Sequence, residues 1–67
     1  MKFTLPGLAQ RMAERGLDVE ELAAAAWDAR KPVASDTIRE ALAGKPVMMT
    51  SATRIASVIE SRPRDPA

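Results

Sequence analysis

The side chains that could do chemistry in this 67-residue chain are carboxylates, hydroxyls, lysines and arginines, because the sequence contains neither cysteine nor histidine. Without those two residue types, the usual nucleophile–base pairs, disulfides and zinc sites are missing. The carboxylates are scattered along predicted exposed helix faces, and Gly7, Gly16 and Gly44 are isolated, so no glycine-rich phosphate loop occurs. We therefore expect a binding protein with no enzymatic activity, no cofactor and no evident small-molecule ligand.

The charges are divided unequally along the chain. Residues 1–29 carry three basic and five acidic side chains, a net charge of −2, whereas residues 30–64 carry seven basic and three acidic ones, a net charge of +4. The overall charge of +1 is low for a nucleic-acid-binding protein. The basic half could still form a one-sided surface that faces phosphates.

Hydrophobic spacing predicts that helices carry these side chains. Thr4 is expected to cap a first helix with Leu5 and Pro6 in its first turn, and Gly16 is expected to end it. Its predicted apolar stripe is Leu5, Leu8, Ala9 and Met12. A last helix is expected to start after Thr50 or Ser51 and to run to about residue 61. Its predicted buried stripe is Ala52, Ile55, Ala56, Val58 and Ile59, with Arg54, Ser57 and Glu60 exposed.

Between them, residues 18–45 are predicted to form two helices joined by a turn. Asp18 can cap the first of these helices, and Glu21 can complete a capping box. The residues Val19, Leu22, Ala23 and Ala26 then share one face. Lys31-Pro32 closes the turn, and the second helix runs from residue 34 or 35 to 43 with Gly44 as its stop. The inward residues of this second helix are predicted to be Ile38, Ala41 and Leu42.

The large apolar side chains near these helices are predicted to belong to the core. Trp27, the only tryptophan, is predicted to cover the short alanine face of its helix as a core or lid residue. The alternative is that it stacks on a base or anchors a partner. Met48 and Met49 are predicted to fill irregular gaps in the core.

Residues 18–45 resemble the helix-turn-helix of the phage-repressor (XRE/Cro-type) family. The matching residues are Glu20-Glu21-Leu22-Ala23, Val33, Thr37-Ile38, Ala41 and Gly44-Lys45. Trp27 stands where the family has its turn glycine, Leu42 stands where it often has Glu, and Asp28 to Pro32 look like about five extra residues in the turn. The resemblance extends from Leu5 to Ile59.

This resemblance implies an all-α, lambda-repressor-like domain of four or five helices over residues 1–61. Pro63 and Pro66 predict that residues 62–67 form a short flexible tail. It implies a cytoplasmic transcriptional regulator, most simply a repressor of phage or bacterial origin. Such a protein would place the helix at 35–43 in the major groove and bind double-stranded DNA, as a homodimer on a palindromic operator. No run of residues approaches the length of a membrane span, so no membrane partner is expected.

The resemblance also implies which residues meet DNA. Ser35, Asp36 and Glu40 would occupy base-facing positions, with Arg39 beside them. Phosphate contacts are expected from Lys45, from Arg30 and Lys31, and from the helix N terminus at Val19.

Two observations keep other interpretations open. Asp36 and Glu40 could simply stabilise their helix, since Asp36 lies in its first turn and both lie on one exposed face. Arg30 and Lys31 could simply be solvated. The acidic positions and the altered turn would also suit a protein-binding helical module, such as an antirepressor, an antitoxin-like partner or an inhibitor of a host enzyme.

Overall fold

The computed structural model of the protein describes residues 1–62, which form four helices and a two-stranded sheet. In chain order the elements are β1 (Lys2–Phe3), α1 (Leu8–Glu14), α2 (Val19–Asp28), α3 (Ser35–Leu42), β2 (Val47–Met48) and α4 (Met49–Glu60). The mostly helical composition agrees with the sequence prediction. None of these helices is long and apolar enough to cross a membrane. The predicted flexible tail lies, apart from Arg62, outside the described residues.

The small sheet was not predicted from the sequence. β1 and β2 are antiparallel, with Lys2 opposite Met48 and Phe3 opposite Val47. Strands of two residues are too short to show the alternating pattern by which a strand is recognised. The pairing holds residues 2–3 against the segment that joins α3 to α4.

The predicted starts of α1 and α4 were wrong. Gly7, with φ of 75°, directly precedes α1, so the turn at Pro6 is separate from the helix and Thr4 does not cap it. α4 begins at Met49, ahead of Thr50 and Ser51, because β2 leads straight into it. The backbone N–H of Met49 donates to the carbonyl of Met1 at 3.4 Å, so the sheet partner supplies an acceptor that a side-chain cap would otherwise provide.

The predicted glycine stops are confirmed. Gly16 and Gly44 both have positive φ. The N–H of Leu17 donates to Met12 and that of Lys45 donates to Glu40, which is the hydrogen-bond pattern of the Schellman motif. Both helices therefore end where the sequence places a residue that adopts the left-handed conformation without strain.

The core lies where α2 packs against α3 and α4. Its largest fully buried side chains are Leu22, Ile38, Ile55, Ile59 and Val58. The remaining buried residues are Leu8, Met12, Ala25, Ala26, Val33, Ala41, Val47 and Ala52. The predicted stripes are largely confirmed, with Ala9 an exception because it is exposed. No polar or charged residue is buried among residues 1–62.

The assignment of three large apolar side chains to the core was wrong. Trp27 is 73% exposed, and Met48 and Met49 are also exposed. Trp27 follows the buried pair Ala25 and Ala26 and faces away from them, so the short alanine face is covered by neighbouring helices instead. An exposed indole on a domain this small is a candidate contact for a partner.

Candidate nucleic-acid interface

The outer face of α3 carries the residues that the resemblance assigns to base contacts. Ile38 and Ala41 point into the core, while Asp36, Arg39 and Glu40 are exposed. Ser35 is half-buried in the first turn of the helix. The 3.6-residue period of the helix thus separates one packing face from one polar face.

Arg39 is the centre of the only ion-pair cluster formed among residues 1–62. Its Nη2 lies 2.9 Å from Oε1 of Glu20, and its Nη1 lies 3.2 Å from Oδ1 of Asp36. Nη1 also donates to Oγ of Ser35 at 3.5 Å. In this structure both ends of the guanidinium are directed at acceptors within the protein, so Arg39 is not presented to a base or a phosphate.

Glu40 lies on the side of α3 that faces the sheet. Glu40 lines a shallow groove of about 100 Å³ together with Lys2 and Thr37. Lys45 is exposed directly after Gly44. Lys2, which sequence reasoning did not assign to any site, therefore adds a cation beside the polar face of α3.

The N terminus of α2 is less favourable to a phosphate than the sequence suggested. Asp18 Oδ1 accepts from the N–H of Glu21 at 2.7 Å, and Glu21 Oε1 accepts from the N–H of Asp18 at 3.3 Å. The predicted capping box is therefore confirmed. Val19, the first helical residue, is half-buried against the core. With Glu20 beside them, three carboxylates surround this helix end, and a phosphate would meet repulsion there.

The connection between α2 and α3 differs from the turn that the resemblance implies. α2 continues through Trp27 to Asp28, and the residue with positive φ is Arg30, at 60°. The N–H of Arg30 donates to Trp27 and that of Lys31 donates to Ala26, so the helix ends in a Schellman motif built on a non-glycine residue. Trp27, which aligns with the family's turn glycine, is thus helical, and the left-handed residue of this connection is Arg30.

Two hydrogen bonds tie this connection to α4. Lys31 Nζ donates to Oγ of Ser57 at 2.6 Å, and Arg54 Nη1 donates to the carbonyl of Pro32 at 2.9 Å. Arg54 and Ser57, predicted to be exposed, are half-buried as a result. Arg30 instead lines an open groove of about 500 Å³ with Trp27, Asp28 and Pro32.

The structure therefore separates the predicted site residues into two groups. Ser35, Asp36 and Arg39 come together with Glu20, whereas Lys31 lies beside Arg54 on the α4 side of the connection. The i, i+3 spacing of Asp36 and Arg39 already favours their contact. Nothing in the sequence pairs Arg39 with Glu20 or Lys31 with α4, since those contacts depend on how the helices pack.

Comparison with known proteins adds no further constraint on function. No protein-family model matches the chain, and no curated protein and no solved structure matches it. Within residues 1–62, no group of three or more acidic side chains is placed to hold a metal ion.

Proposed function

We propose that the protein is a sequence-specific DNA-binding regulator, a repressor in the simplest case, that places α3 in the major groove. The observation that carries this proposal is the position of α3. Asp36, Arg39 and Glu40 are exposed on its polar face, and exposed cations precede and follow the helix in the chain: Arg30 and Lys31 in the connection before it, and Lys45 after Gly44. Lysines and arginines that flank a helix are suited to hold it against phosphates on both sides of a groove.

The ion pairs of Arg39 are weak enough to be exchanged for contacts with DNA. The side chains of Arg39, Glu20 and Asp36 are 53%, 75% and 89% exposed. Exposed ion pairs are worth about 0–1 kcal/mol. A bidentate contact between an arginine and guanine discriminates by about 1–3 kcal/mol. The exchange is therefore favourable where the operator places guanine opposite Arg39. Glu20 and Asp36 would then contribute to specificity, because they compete with the base for the guanidinium.

The carboxylates of α3 have a role in this proposal as well. Asp36 and Glu40 can accept a hydrogen bond from N4 of cytosine, and they repel phosphates from incorrectly placed sequences. Together with the net charge of only +1, they predict modest affinity for non-specific DNA. A single domain of this size makes few phosphate contacts, so a homodimer on a palindrome with half-sites about one helical turn apart is the expected assembly.

The test is selection of bound duplexes from a random DNA library at two salt concentrations, with the full chain. An enriched palindrome, bound less tightly at the higher salt concentration, supports the proposal. Absence of enrichment together with no salt-dependent binding contradicts it. Repeating the selection with Arg39→Gln then identifies the positions that depend on this side chain, because the variant keeps a polar side chain and removes the positive charge.

A second candidate function is supported by a different observation, the exposed Trp27 beside the groove that Arg30 and Pro32 line. Tryptophan is among the residues most enriched at the centres of protein interfaces. A protein-binding helical module, such as an antirepressor or an antitoxin-like partner, would use this surface. Its binding would depend on Trp27 and only weakly on salt, whereas phosphate binding weakens linearly with the logarithm of salt concentration.

A further inference from the structure

The connection between α2 and α3 and one face of α4 form a groove of about 380 Å³. Its lining residues are Lys31, Met49, Thr50, Thr53, Arg54 and Ser57. Thr50, Thr53 and Ser57 lie three and four residues apart, so their hydroxyls project along one side of α4. Lys31 forms the opposite wall.

The two cations of this groove are held in place without being neutralised. Lys31 Nζ donates one hydrogen bond to Ser57 and Arg54 Nη1 donates one to the carbonyl of Pro32. A lysine ammonium has three donors and an arginine guanidinium has five, so most of their donors are available to a ligand. Neither cation forms an ion pair within residues 1–62, in contrast to Arg39.

The charge of the groove also favours an anion. No carboxylate lines it, and the only acidic residue of α4, Glu60, is at the far end of that helix. The hydroxyls of Thr50 and Thr53 add neutral donors to the lining of the groove. A phosphoryl group presents several oxygens that can accept from donors on both walls, and charge-assisted hydrogen bonds of this kind are the stronger ones.

We propose that this groove is a phosphoryl-binding site in which Lys31 and Arg54 bind the oxygens from opposite walls and the threonine hydroxyls complete the set of donors. The apolar side chain of Met49 forms one end of the groove and suits the carbon skeleton of a phosphate ester. The phosphoryl group could belong to the DNA backbone or to a small phosphorylated molecule. The DNA source rests on the proposed function, and the small-molecule source does not.

The first measurement is an NMR titration of the ¹⁵N-labelled full chain with inorganic phosphate, compared with chloride at equal ionic strength. Saturating shifts at the amides of the groove, produced by phosphate and not by chloride, are expected. In Lys31→Gln/Arg54→Gln the phosphate concentration at half-saturation should rise by about tenfold or more, since hydrogen bonds to charged groups are lost. Arg11→Gln is the control for Lys31→Gln alone, because each removes one exposed positive charge, and Arg11→Gln should leave the titration unchanged.

The second measurement identifies the source of the phosphoryl group by titrating the same proteins with a duplex selected as above. If the groove binds a backbone phosphate, the duplex shifts the same amides, and the double variant lowers the slope of log affinity against log salt by about 1. If the phosphate titration succeeds and the slope is unchanged, the ligand is a small phosphorylated molecule.

Two results would overturn the proposal. One is a response of the groove amides that is the same in phosphate and chloride. The other is a phosphate response that the double variant retains. Either result rejects the groove as a phosphoryl site, whereas the proposed function is tested separately by the selection of duplexes, so the two failures are distinguishable. Should the double variant unfold, Lys31→Gln and Thr53→Val alone provide the comparison, because both positions are exposed.

Discussion

Arg39 Nη2 lies 2.9 Å from Oε1 of Glu20, and this contact joins the third helix to the start of the second. The only arginine of α3 is therefore bound by a carboxylate of the same protein. Under the proposed function, the Glu20 carboxylate would compete with DNA for the guanidinium, and Arg39 would contact a base only after this ion pair opens. Both side chains are exposed enough for that exchange.

The first prediction concerns this competition. Glu20→Gln should strengthen binding to the selected duplex by about threefold to tenfold, because it removes an exposed ion pair and one negative charge near the DNA. Fluorescence anisotropy with a labelled duplex measures the change. Glu60→Gln removes the same charge at the far end of α4 and should have a smaller effect.

The second prediction concerns Arg39 itself. Arg39→Ala should weaken specific binding by about 1–3 kcal/mol if the side chain contacts a base, with little change in thermal stability because the position is exposed. The same anisotropy assay and a thermal melt measure the two effects. Equal affinity of Arg39→Ala and the natural chain would remove Arg39 from the interface.

The third prediction concerns the packing of α2 on α3. Leu22 and Ile38 are both 0% exposed. Each substitution to Ala should lower the free energy of unfolding by about 2–5 kcal/mol, from lost burial and the cavity left behind. Urea denaturation measures the loss, and Ala24→Ser on the exposed face of α2 is a control that should change little. Two near-neutral core substitutions would contradict this packing.

The fourth prediction concerns Arg30, which has φ of 60° at the end of α2. A left-handed conformation costs a non-glycine residue about 1–2 kcal/mol. Glycine removes this strain, but its more flexible unfolded chain offsets part of the gain in stability. Arg30→Gly should therefore stabilise the fold by up to about 1 kcal/mol. Arg30→Ala, which removes the same charge and keeps the strain, separates the backbone effect from the charge effect. A melting temperature no higher for Arg30→Gly than for Arg30→Ala would argue against the strained turn.

The fifth prediction concerns Trp27. Since the indole is 73% exposed, Trp27→Ala should change the free energy of unfolding by about 1 kcal/mol or less, whereas a buried tryptophan would cost about 3–5 kcal/mol. Chemical denaturation followed by circular dichroism measures the difference. Fluorescence quenching by iodide provides an independent check, because an exposed indole is accessible to the quencher. A large loss of stability would place Trp27 back in the core.

Local interactions explain what the sequence could predict. The capping box joins Asp18 to Glu21, three residues away, and the Schellman motifs at Gly16 and Gly44 involve residues within one turn and a half. The apolar stripes of α2, α3 and α4 follow from the helical period alone. Each of these features depends on residues a few positions apart, so their types and spacing determine the outcome before any helix meets another.

Features that join distant parts of the chain depend on how the helices and strands pack. β1 pairs with β2 across more than forty residues, and this pairing, with no capping side chain, sets the start of α4. Glu20 meets Arg39 across 19 positions, and Lys31 meets Ser57 across 26. The exposure of Trp27 also depends on packing, because a large side chain is buried only where another element covers it. Residue types and spacing thus predicted the existence of the four helices, their glycine stops and their apolar faces, whereas packing set the starts of α1 and α4, the ion pairs of Arg39, and the exposure of Trp27, Met48 and Met49.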